Sequence, residues 1–562
     1  MDRKAICEGL LEKPDIDVLV VGAGINGIGV FRDLARQWVD VLLIDRGDFC
    51  SGASSASSHM AHGGIRYLEN GEFRLVSEAV NERNRLLVNA SHLVRPLPTV
   101  VPMFKFFSGL LNAPFKFVGW LDKPSERGAV VIKIGLMFYD ALTHGRRIVP
   151  KHRFEGRKKT LERYPDLNPE VKYAAMYYDG QLLSPERLAI ELVLDAEAEG
   201  GHARALSYVS LLGTGPEAGT FVLRDEIGGR DVPVRPHVVV NAAGPWIDPV
   251  NARFGLPTRY VAGSKGSHIV VDNPELRRAM GDHEFFFENA DGRIVLMLAW
   301  YDRVLIGTSD LAIDDADKAV CTEEEIDYFI RFVARIFPSI PVKREQIVFA
   351  FSGVRPLPPS TAKNAGQISR DHSLKEDRLG KVPILSLVGG KWTTFRAFGE
   401  QATDRTLGIL GRKRRQSTEC LPIGGGAGLP SDPAGLEGIA LRLVHEKGIP
   451  FERARTLLER YGTRSFGVAE RAAAGAERML RNLQGYSREE IAFIVAEEKV
   501  ERLDDLVLRR STIAWLGRAG RPALEELAEI MGSALGWSET ATSMEVDRVA
   551  ALLRDRHFAH SP

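Results

Sequence analysis

The apolar positions near the N-terminus predict a strand, a tight turn and a helix, in that order. An apolar run, Val18–Val21, stops at Gly22, and a helical pattern follows over Ile28–Gln37. A second apolar run, Val41–Ile44, predicts the next strand. Strands that alternate with helices in this way are typical of an α/β domain with a parallel sheet.

Later stretches predict further helices and strands. Helical patterns cover Phe73–Val88, Val130–Leu142 and Glu186–Gly200. Pro236–Val240 is predicted to be a buried strand, and Arg293–Asp310 is predicted to be two strands around a turn, as in an antiparallel sheet. The chain therefore combines a parallel α/β region with an antiparallel region.

The composition changes after about Arg415. Pro422–Pro433 is rich in glycine and proline and is predicted to be a linker. The rest is predicted to be helical and shows no catalytic cluster; its helices cover Leu436–Lys447, Phe451–Tyr461, Ser487–Glu498 and Ala523–Leu535. A chain of 562 residues is too long for one hydrophobic core, so we expect two or three domains.

Charge and cysteine content argue against several classes of protein. Lys plus Arg and Asp plus Glu number 74 each, so no net charge favours nucleic acid binding. The four cysteines lie far apart without CxxC spacing, and we expect them to pack in cores rather than bind a metal. The N-terminus has charged residues but no apolar signal core, which predicts a reducing, cytoplasmic setting.

Gly22, Gly24 and Gly27 stand in GxGxxG spacing at the first predicted turn. Such glycines allow a tight turn, close approach of the backbone to a pyrophosphate and packing of helix on strand, while the helix N-terminus offers free amide donors. Asp45 follows the second strand, at the position where an acid binds a ribose hydroxyl. The pattern predicts a dinucleotide site; a glycine-rich turn in an unrelated α/β domain is the alternative.

The string SSASSHMAHGGIRYLE, Ser54–Glu69, indicates which dinucleotide is bound. It resembles the signature of FAD-dependent glycerol-3-phosphate dehydrogenases, in which SSxSSKxxHGGxRYLE follows the first βαβ unit. It departs from that signature at His59, where the family has a lysine, so no role is transferred to this side chain. The resemblance implies FAD as the cofactor.

Five later strings are also similar to that family, and they add the remaining site residues. They are NAAGPW (Asn241–Trp246), KGSH (Lys265–His268), SGVRPL (Ser352–Leu357), SRDH (Ser369–His372) and LVGGKWTTF (Leu387–Phe395). The FAD-binding residues implied by the resemblance are Gly22, Gly24, Gly27, Asp45, Ser54, Ser55, Ser57, Ser58, His62, Gly63, Gly244, Gly353, Gly390, Lys391 and Thr393. The substrate-binding residues implied are Arg66, Tyr67, His268, Arg355 and Arg370, and the catalytic residues implied are His268, Arg355 and Lys391.

The chemistry of these residue types agrees with those roles. Arginine forks bind phosphate bidentately and stay charged, which suits Arg355 and Arg370 to a phosphorylated substrate. Lys391, at the start of a predicted helix, would stabilise negative charge on a reduced flavin. His268 and Lys391 are the candidates for proton handling, and the sequence leaves open which of them is the base.

The resemblance also implies the architecture. We expect an α/β fold with a Rossmann-like FAD-binding domain, an antiparallel-sheet substrate or cap domain, and a C-terminal helical domain. The expected ranges are 15–95, 150–262 and 350–410 for the FAD-binding domain, 96–149 and 263–349 for the substrate region, and 422–562 for the helical domain.

The activity implied by the resemblance is oxidation of sn-glycerol 3-phosphate to dihydroxyacetone phosphate, with hydride passing to the flavin and electrons on to quinone. Three alternatives stay open: the same chemistry on a longer polyol phosphate such as erythritol phosphate, a dioxygen-reducing glycerophosphate oxidase, and a flavin-binding protein without turnover. Retention of both arginines, His268 and Lys391 argues against the last.

Val100–Trp120 is rich in aromatic residues, with Lys105 and Lys116 among them. Its lysines and prolines argue against a membrane-spanning helix. Two interpretations stay open: an interfacial segment whose rings and cations meet lipid headgroups, or a partly buried loop over the substrate site. The first predicts a peripheral protein on the inner face of the cytoplasmic membrane. A homodimer is also left open.

Overall fold

The computed structural model describes residues 2–65, 72–105, 129–142, 148–288, 294–359, 371–473 and 477–558. Three of the predicted site residues, Arg66, Tyr67 and Arg370, lie outside these ranges, as does most of Val100–Trp120. Their roles therefore stay predictions.

Two β-sheets form the framework of the described chain. The strands are β1 (Asp15–Val21), β2 (Val41–Ile44), β3 (Met60–Ala61), β4 (Val94–Met103), β5 (Arg153–Gly156), β6 (Tyr173–Leu182), β7 (Ala203–Leu206), β8 (Val209–Thr214), β9 (Phe221–Asp225), β10 (Arg230–Asn241), β11 (Ala262–Val271), β12 (Glu284–Glu288), β13 (Ile294–Trp300), β14 (Arg303–Gly307), β15 (Leu311–Ala312), β16 (Ile347–Leu357), β17 (Ser373–Leu379) and β18 (Val382–Val388).

The helices are α1 (Arg3–Glu12), α2 (Ile25–Arg36), α3 (Phe73–Asn89), α4 (Ala129–Leu142), α5 (Arg157–Arg163), α6 (Pro185–Glu197), α7 (Ile247–Arg253), α8 (Pro274–Met280), α9 (Glu323–Ile336), α10 (Phe395–Ile409), α11 (Pro433–Lys447), α12 (Phe451–Tyr461), α13 (Ser465–Ala473), α14 (Arg488–Glu497), α15 (Arg521–Leu535) and α16 (Glu539–His557). The predicted helices are confirmed, with shifts at their ends. The second helix begins at Ile25, before the predicted Ile28, because the extended residue Gly24 serves as its N-cap.

The first sheet runs in the order β17-β18-β10-β1-β2-β7, and its neighbours from β18 to β7 are parallel. Its central strands are continuous apolar runs because both faces of the sheet are covered. The carboxyl ends of parallel strands lie at one edge of a sheet, which is where such folds bind ligands. The residues that leave this edge are Gly22, Asp45, Ala242 and Gly389.

The second sheet runs in the order β15-β11-β14-β13-β12-β4-β6-β3, with β16 paired to β11 and β5 to β6. Its pairs are antiparallel except for β4 with β12. The two strands predicted within Arg293–Asp310 are confirmed as β13 and β14. The helix α9 packs on one face, and the C-terminal helices pack on the other.

Strand pairing differs from the predicted domain ranges in two places. The range 150–262 was expected to lie in the cofactor domain, yet β5 and β6 pair within the second sheet. The range 350–410 was also expected there, yet β16 pairs along its whole length with β11. The burial patterns of β6 and β16 do not follow a regular alternation, and neither pattern is specific to one of the two sheets. The remaining boundaries stay predictions.

The stretch Pro422–Pro433, predicted to be a linker, is docked against the rest of the chain. The amide of Gly425 donates to Oε2 of the buried Glu191 at 3.1 Å. A Cβ at Gly425 would lie 1.9 Å from the carbonyl oxygen of Tyr461. Glycine in this stretch therefore serves close packing rather than flexibility.

Candidate functional site

The glycine turn after β1 is closed on both sides by backbone. Gly22 has φ +103°, and a Cβ there would lie 2.7 Å from the carbonyl oxygen of Ala242. A Cβ at Gly27 would lie 1.9 Å from the carbonyl oxygen of Gly22. The helix α2 therefore begins directly after the turn, and the N-terminus of a helix in this position favours a bound anion.

Asp45 lies at the end of β2, beside this turn. Its Oδ2 accepts a hydrogen bond from the amide of Ala23 at 2.7 Å, and its Oδ1 accepts one from the amide of Gly47 at 2.9 Å. Burial raises the pKa of the Asp45 carboxyl to about 6. The carboxyl is fixed next to the glycine turn, at the place predicted for a ribose contact.

The serine loop, Ser54–Ser58, is tied to the turn by Ser54. Ser54 Oγ accepts a hydrogen bond from the amide of Ile25 at 2.9 Å, and its carbonyl oxygen accepts one from Trp392 Nε1 at 2.9 Å. Ser55 Oγ donates to the carbonyl of Gly52, and Ser57 Oγ accepts from the amide of His59. Ser55 and Ser57 therefore shape the loop itself.

The turn after β18 completes this edge of the site. Gly390 has φ +82°, and a Cβ there would lie 2.5 Å from Nδ2 of Asn26. Asn26 Nδ2 donates to the carbonyl of Gly389 at 2.9 Å. Asn26 Oδ1 and Thr393 Oγ1 are buried without a hydrogen-bond partner in the part of the chain that the structure describes. Two buried polar atoms beside the glycine turn fit a polar cofactor such as a dinucleotide.

The strands β11 and β16 form the opposite wall of the site. Successive side chains of β11 lie on opposite faces of the sheet. Lys265 Nζ donates to Glu325 at 2.7 Å, and Ser267 Oγ donates to the same carboxylate at 2.8 Å. Gly266 and His268 alternate with them and face the serine loop. A Cβ at Gly353, the partner of Gly266, would lie 2.5 Å from Cβ of Ala56 in that loop.

His268 is held between this loop and the sheet. Its Nε2 lies 2.9 Å from Ser58 Oγ, and its ring stacks on Phe351 with centroids 4.8 Å apart. Its Nδ1 is buried without a hydrogen-bond partner among the described residues. Burial, with the charge of Arg355 nearby, holds the pKa of His268 well below its ordinary value of 6.5. The imidazole is therefore neutral at physiological pH and can accept a proton.

Arg355 lies across Gly266 on the same wall. A Cβ at Gly266 would lie 2.3 Å from Arg355 Nη2, so this glycine makes room for the guanidinium. Nη2 donates to Thr308 Oγ1 at 2.9 Å, and Nη1 lies 3.4 Å from Asp310 Oδ1. The pair with Asp310 is long and about a quarter exposed, and Asp310 also accepts a hydrogen bond from Ser264 Oγ, so the fork can turn to a phosphate without leaving this acid unpaired.

Lys391 follows Gly390 directly, just before α10. It lies within electrostatic range of Glu78 and His372. Burial raises the pKa of Glu78 and lowers that of His372; the lysine charge opposes the first shift and adds to the second. Its carbonyl accepts hydrogen bonds from the amides of Thr394 and Phe395, which start the helix. Helix and lysine together place positive potential at this edge.

His59, where the family pattern has a lysine, is not a site cation. It is buried, with its ring edge-on to Trp300 at 4.9 Å and to Trp515 at 5.4 Å between centroids. Burial lowers the pKa of His59 to about 3, so the ring is neutral. The side chain packs between the second sheet and the C-terminal helices.

The structure brings together most of the predicted site residues that it describes, and it adds others. Gly244, with φ +58°, turns the chain after β10, but a Cβ there would have no atom within 4 Å. Asn26 and Trp392 lie inside strings that were recognised, yet neither was assigned a role from the sequence. Arg83 and Asp179 hold the His62–Gly63 turn, and only their burial distinguishes them from surface charges.

Two family models match the chain. Residues 17–405 match the model described as FAD dependent oxidoreductase. Residues 416–542 match the C-terminal domain of alpha-glycerophosphate oxidase.

Relatives of known name match along nearly the whole chain. A glycerol-3-phosphate dehydrogenase of Synechocystis is 31% identical, with 95% of each chain covered. A D-erythritol 1-phosphate dehydrogenase of Brucella abortus is 32% identical, covering 89% of this chain and 95% of its own. The mouse mitochondrial glycerol-3-phosphate dehydrogenase is 29% identical, covering 98% of this chain and 75% of its own.

A solved structure shares the fold. The glycerol-3-phosphate dehydrogenase of Bacillus halodurans complexed with FAD superposes with a TM-score of 0.76 at 21% identity, covering 98% of this chain and 97% of its own. The α-glycerophosphate oxidase of Mycoplasma pneumoniae with FAD bound gives 0.51 at 16% identity over 72% of this chain and 96% of its own.

Proposed function

The chain belongs to the FAD dependent oxidoreductase family, and from this premise we propose that it oxidises sn-glycerol 3-phosphate to dihydroxyacetone phosphate. The observation that carries the proposal is that His268 contacts Ser58 of the serine loop while Arg355 lies on the same wall, across Gly266. A proton acceptor and a phosphate anchor on one wall are what a phosphorylated secondary alcohol requires. The names of the two glycerol-3-phosphate dehydrogenases support the choice of substrate.

Oxidation of a carbinol removes a hydride from carbon and a proton from oxygen. Bound FAD supplies the acceptor for the hydride. In the tautomer whose Nε2–H donates to Ser58 Oγ, the neutral His268 takes the hydroxyl proton at Nδ1. Arg355 binds the phosphate with its fork, and the dianion offsets the guanidinium charge that disfavours protonation of His268. Arg370, Arg66 and Tyr67 are proposed to complete the substrate site.

Lys391 and the start of α10 stabilise negative charge at the cofactor edge. A fixed cation and oriented helix amides act without reorganisation when charge develops. We propose that Thr393, with its buried Oγ1, and Asn26 bind the cofactor beside them.

Substitution of Arg355 tests this assignment. Arg355→Met removes charge-assisted hydrogen bonds to phosphate and should lower kcat/KM for glycerol 3-phosphate by about 10- to 100-fold, with FAD retained. Arg405→Met is the matched control, since Arg405 is exposed and pairs only at the surface with Glu376. Unchanged kinetics in the FAD-loaded Arg355 variant would contradict the anchor.

The Brucella relative favours a second substrate, a four-carbon polyol phosphate. Phosphate binding is common to both substrates, so the distinction depends on the far wall of the pocket. Turnover measured side by side on glycerol 3-phosphate and D-erythritol 1-phosphate decides between them. Faster oxidation of the tetritol phosphate would replace the first assignment and leave the site chemistry intact.

We further propose that the protein binds the cytoplasmic face of a membrane and passes electrons to quinone. No helix among the described residues is long and apolar enough to span a bilayer. The helix α4 exposes Ile134, Met137 and Phe138 on one face, with Met137 56% and Phe138 59% exposed. Lys133, also exposed, lies over the ring of Phe154 in β5 at 5.5 Å. Apolar side chains beside cations suit contact with anionic lipid.

Liposome flotation tests the membrane surface. Met137→Ser with Phe138→Ser should reduce binding to anionic vesicles, and high salt should weaken what remains. Leu441→Ser is the control, because Leu441 is as exposed but lies on α11. Equal loss in both variants would contradict a surface centred on α4.

Peroxide formed without an added acceptor would favour an oxidase instead of a quinone reductase.

A further inference from the structure

Gly63 is packed against a buried tyrosine. A Cβ at Gly63 would lie 1.8 Å from Oη of Tyr139 and 3.2 Å from Nη1 of Arg83. The amide of Gly63 donates to Oδ1 of Asp179 at 2.7 Å. Because residue 63 has no side chain, its backbone can contact Tyr139, Arg83 and Asp179 directly.

Three elements converge on this one amide. Arg83 comes from α3, Tyr139 from α4 and Asp179 from β6. Arg83 Nη1 donates to Tyr139 Oη at 2.7 Å, to the carbonyl of Tyr178 at 2.9 Å and to Asp179 Oδ1 at 3.3 Å. Arg83 and Asp179 are each 1% exposed. We call Arg83, Tyr139 and Asp179 the turn triad.

A buried charged triad is a costly way to hold a loop. Well-packed apolar residues of similar volume often stabilise a fold as well or better, because two charges must be desolvated. The charged groups add geometric specificity, because hydrogen bonds have preferred distances and angles, whereas apolar contacts tolerate shifts of the backbone. Ile65 packs against the same helices, and the next residues in the chain are Arg66 and Tyr67.

We propose that the turn triad is a positioning device for the proposed reaction. It fixes the backbone of the His62–Ile65 turn, which in the sequence joins residues predicted to bind FAD, His62 and Gly63, to residues predicted to bind substrate. The polar atoms of the triad bond to one another, to the Gly63 amide and to the Tyr178 carbonyl. This role rests on the proposed function, since only the proposed site gives the position of this turn a consequence for substrate binding.

Tyr139→Phe tests the proposal by removing one hydroxyl. The hydrogen bond from Arg83 is lost, and kcat/KM for glycerol 3-phosphate should fall about ten-fold, mostly through KM, with FAD retained. Tyr164→Phe is the matched control, because Tyr164 is buried in the second-sheet core and its hydroxyl has no partner among the described residues. A lower melting temperature with KM unchanged would make the triad merely structural and overturn the proposal.

A double-mutant cycle gives a second measurement. Gly63→Ala should reduce kcat/KM strongly, because its Cβ would meet Tyr139 Oη. In the Tyr139→Phe background the same change should cost several-fold less, since the nearest atom is then the ring carbon Cζ at 2.9 Å. Additive losses would contradict contact through the hydroxyl.

The circular dichroism of bound FAD separates this proposal from the proposed function. Tyr139→Phe should change the visible band and Tyr164→Phe should not, whether or not the wild-type protein oxidises glycerol 3-phosphate. Wild-type protein without turnover would refute the function, whereas identical flavin spectra in all three proteins would refute the triad. If Tyr139→Phe does not fold, Asp179→Asn takes its place, because it keeps an acceptor for the Gly63 amide and removes the charge.

Discussion

Two buried arginine–carboxylate clusters hold the two loops that lead into the site, and they differ in the number of guanidiniums that contact the loop carboxylate. At the loop after β2, Asp48 accepts hydrogen bonds from Arg509 Nε at 2.5 Å and from both terminal nitrogens of Arg510 at 2.8 Å. We call these three residues the loop clasp. In the turn triad, Asp179 has a single arginine at 3.3 Å and one backbone amide.

The difference shows how the number of cations sets the state of a buried acid. Both carboxyls are fully desolvated, which by itself raises a carboxyl pKa. Two guanidiniums overcome that effect and hold the pKa of Asp48 below its usual value. One distant guanidinium does not, and burial leaves the pKa of Asp179 at about 6. Asp48 of the loop clasp is therefore ionised at neutral pH, whereas Asp179 of the turn triad titrates close to neutral pH.

A substitution in the loop clasp should lower the free energy of unfolding more than the other substitutions compared below. Arg510→Met leaves Asp48 with one arginine and removes the donor to the carbonyl of Glu498. Removing one partner of a buried ion pair costs about 3–5 kcal/mol of unfolding free energy. Urea denaturation of the FAD-loaded protein measures this loss in the free energy of unfolding. A change under about 1 kcal/mol would contradict a stabilising role for the Arg510–Asp48 pair.

The turn triad should give an intermediate effect with its own pH dependence. The folded-state pKa of Asp179 lies above the unfolded value, so ionisation destabilises the fold as pH rises from about 4 to about 6. The wild-type protein should therefore lose up to about 3 kcal/mol over this range relative to Asp179→Asn. The loop clasp has the opposite sign, because Asp48 loses its stabilising charge as pH falls below about 4. Parallel stability profiles for the two proteins would contradict the raised pKa.

An exposed pair should give the smallest effect and calibrates the other two. Arg518, also from the C-terminal helical region, pairs with Asp302 of the second sheet at 2.8 Å, but both side chains are largely solvated. Arg518→Met should cost less than about 1 kcal/mol in the same urea measurement. A loss as large as that of Arg510→Met would show that burial is not what distinguishes the loop clasp.

Local pattern was enough for the cofactor edge. The strands β1 and β2 and the helix α2 were predicted from apolar runs and glycine spacing, because both faces of a parallel sheet are buried and the turn tolerates only glycine. The strings around His268, Arg355 and Lys391 were recognised by resemblance. They lie on the two walls that Ser54 and Ser58 connect.

Sequence periodicity did not assign β6 and β16 to a sheet. The burial pattern of neither strand is specific to one sheet, and only long-range pairing with β4 and β11 decides between the two sheets. The docking of the linker Pro422–Pro433 was not predicted for a similar reason, because glycine permits close packing as readily as flexibility, and the partner, Glu191, is distant in sequence.

The sequence by itself determined the family motifs, the cofactor edge and the residue types available for chemistry, because each of these depends on neighbours a few positions apart. The tertiary structure alone decided which charged residues are buried and with whom they pair. Arg510 and Asp48 are separated by 462 positions, and Arg83 and Asp179 by 96. Desolvation by distant parts of the chain turned these ordinary ion pairs into the loop clasp and the turn triad, and no local pattern encodes that environment.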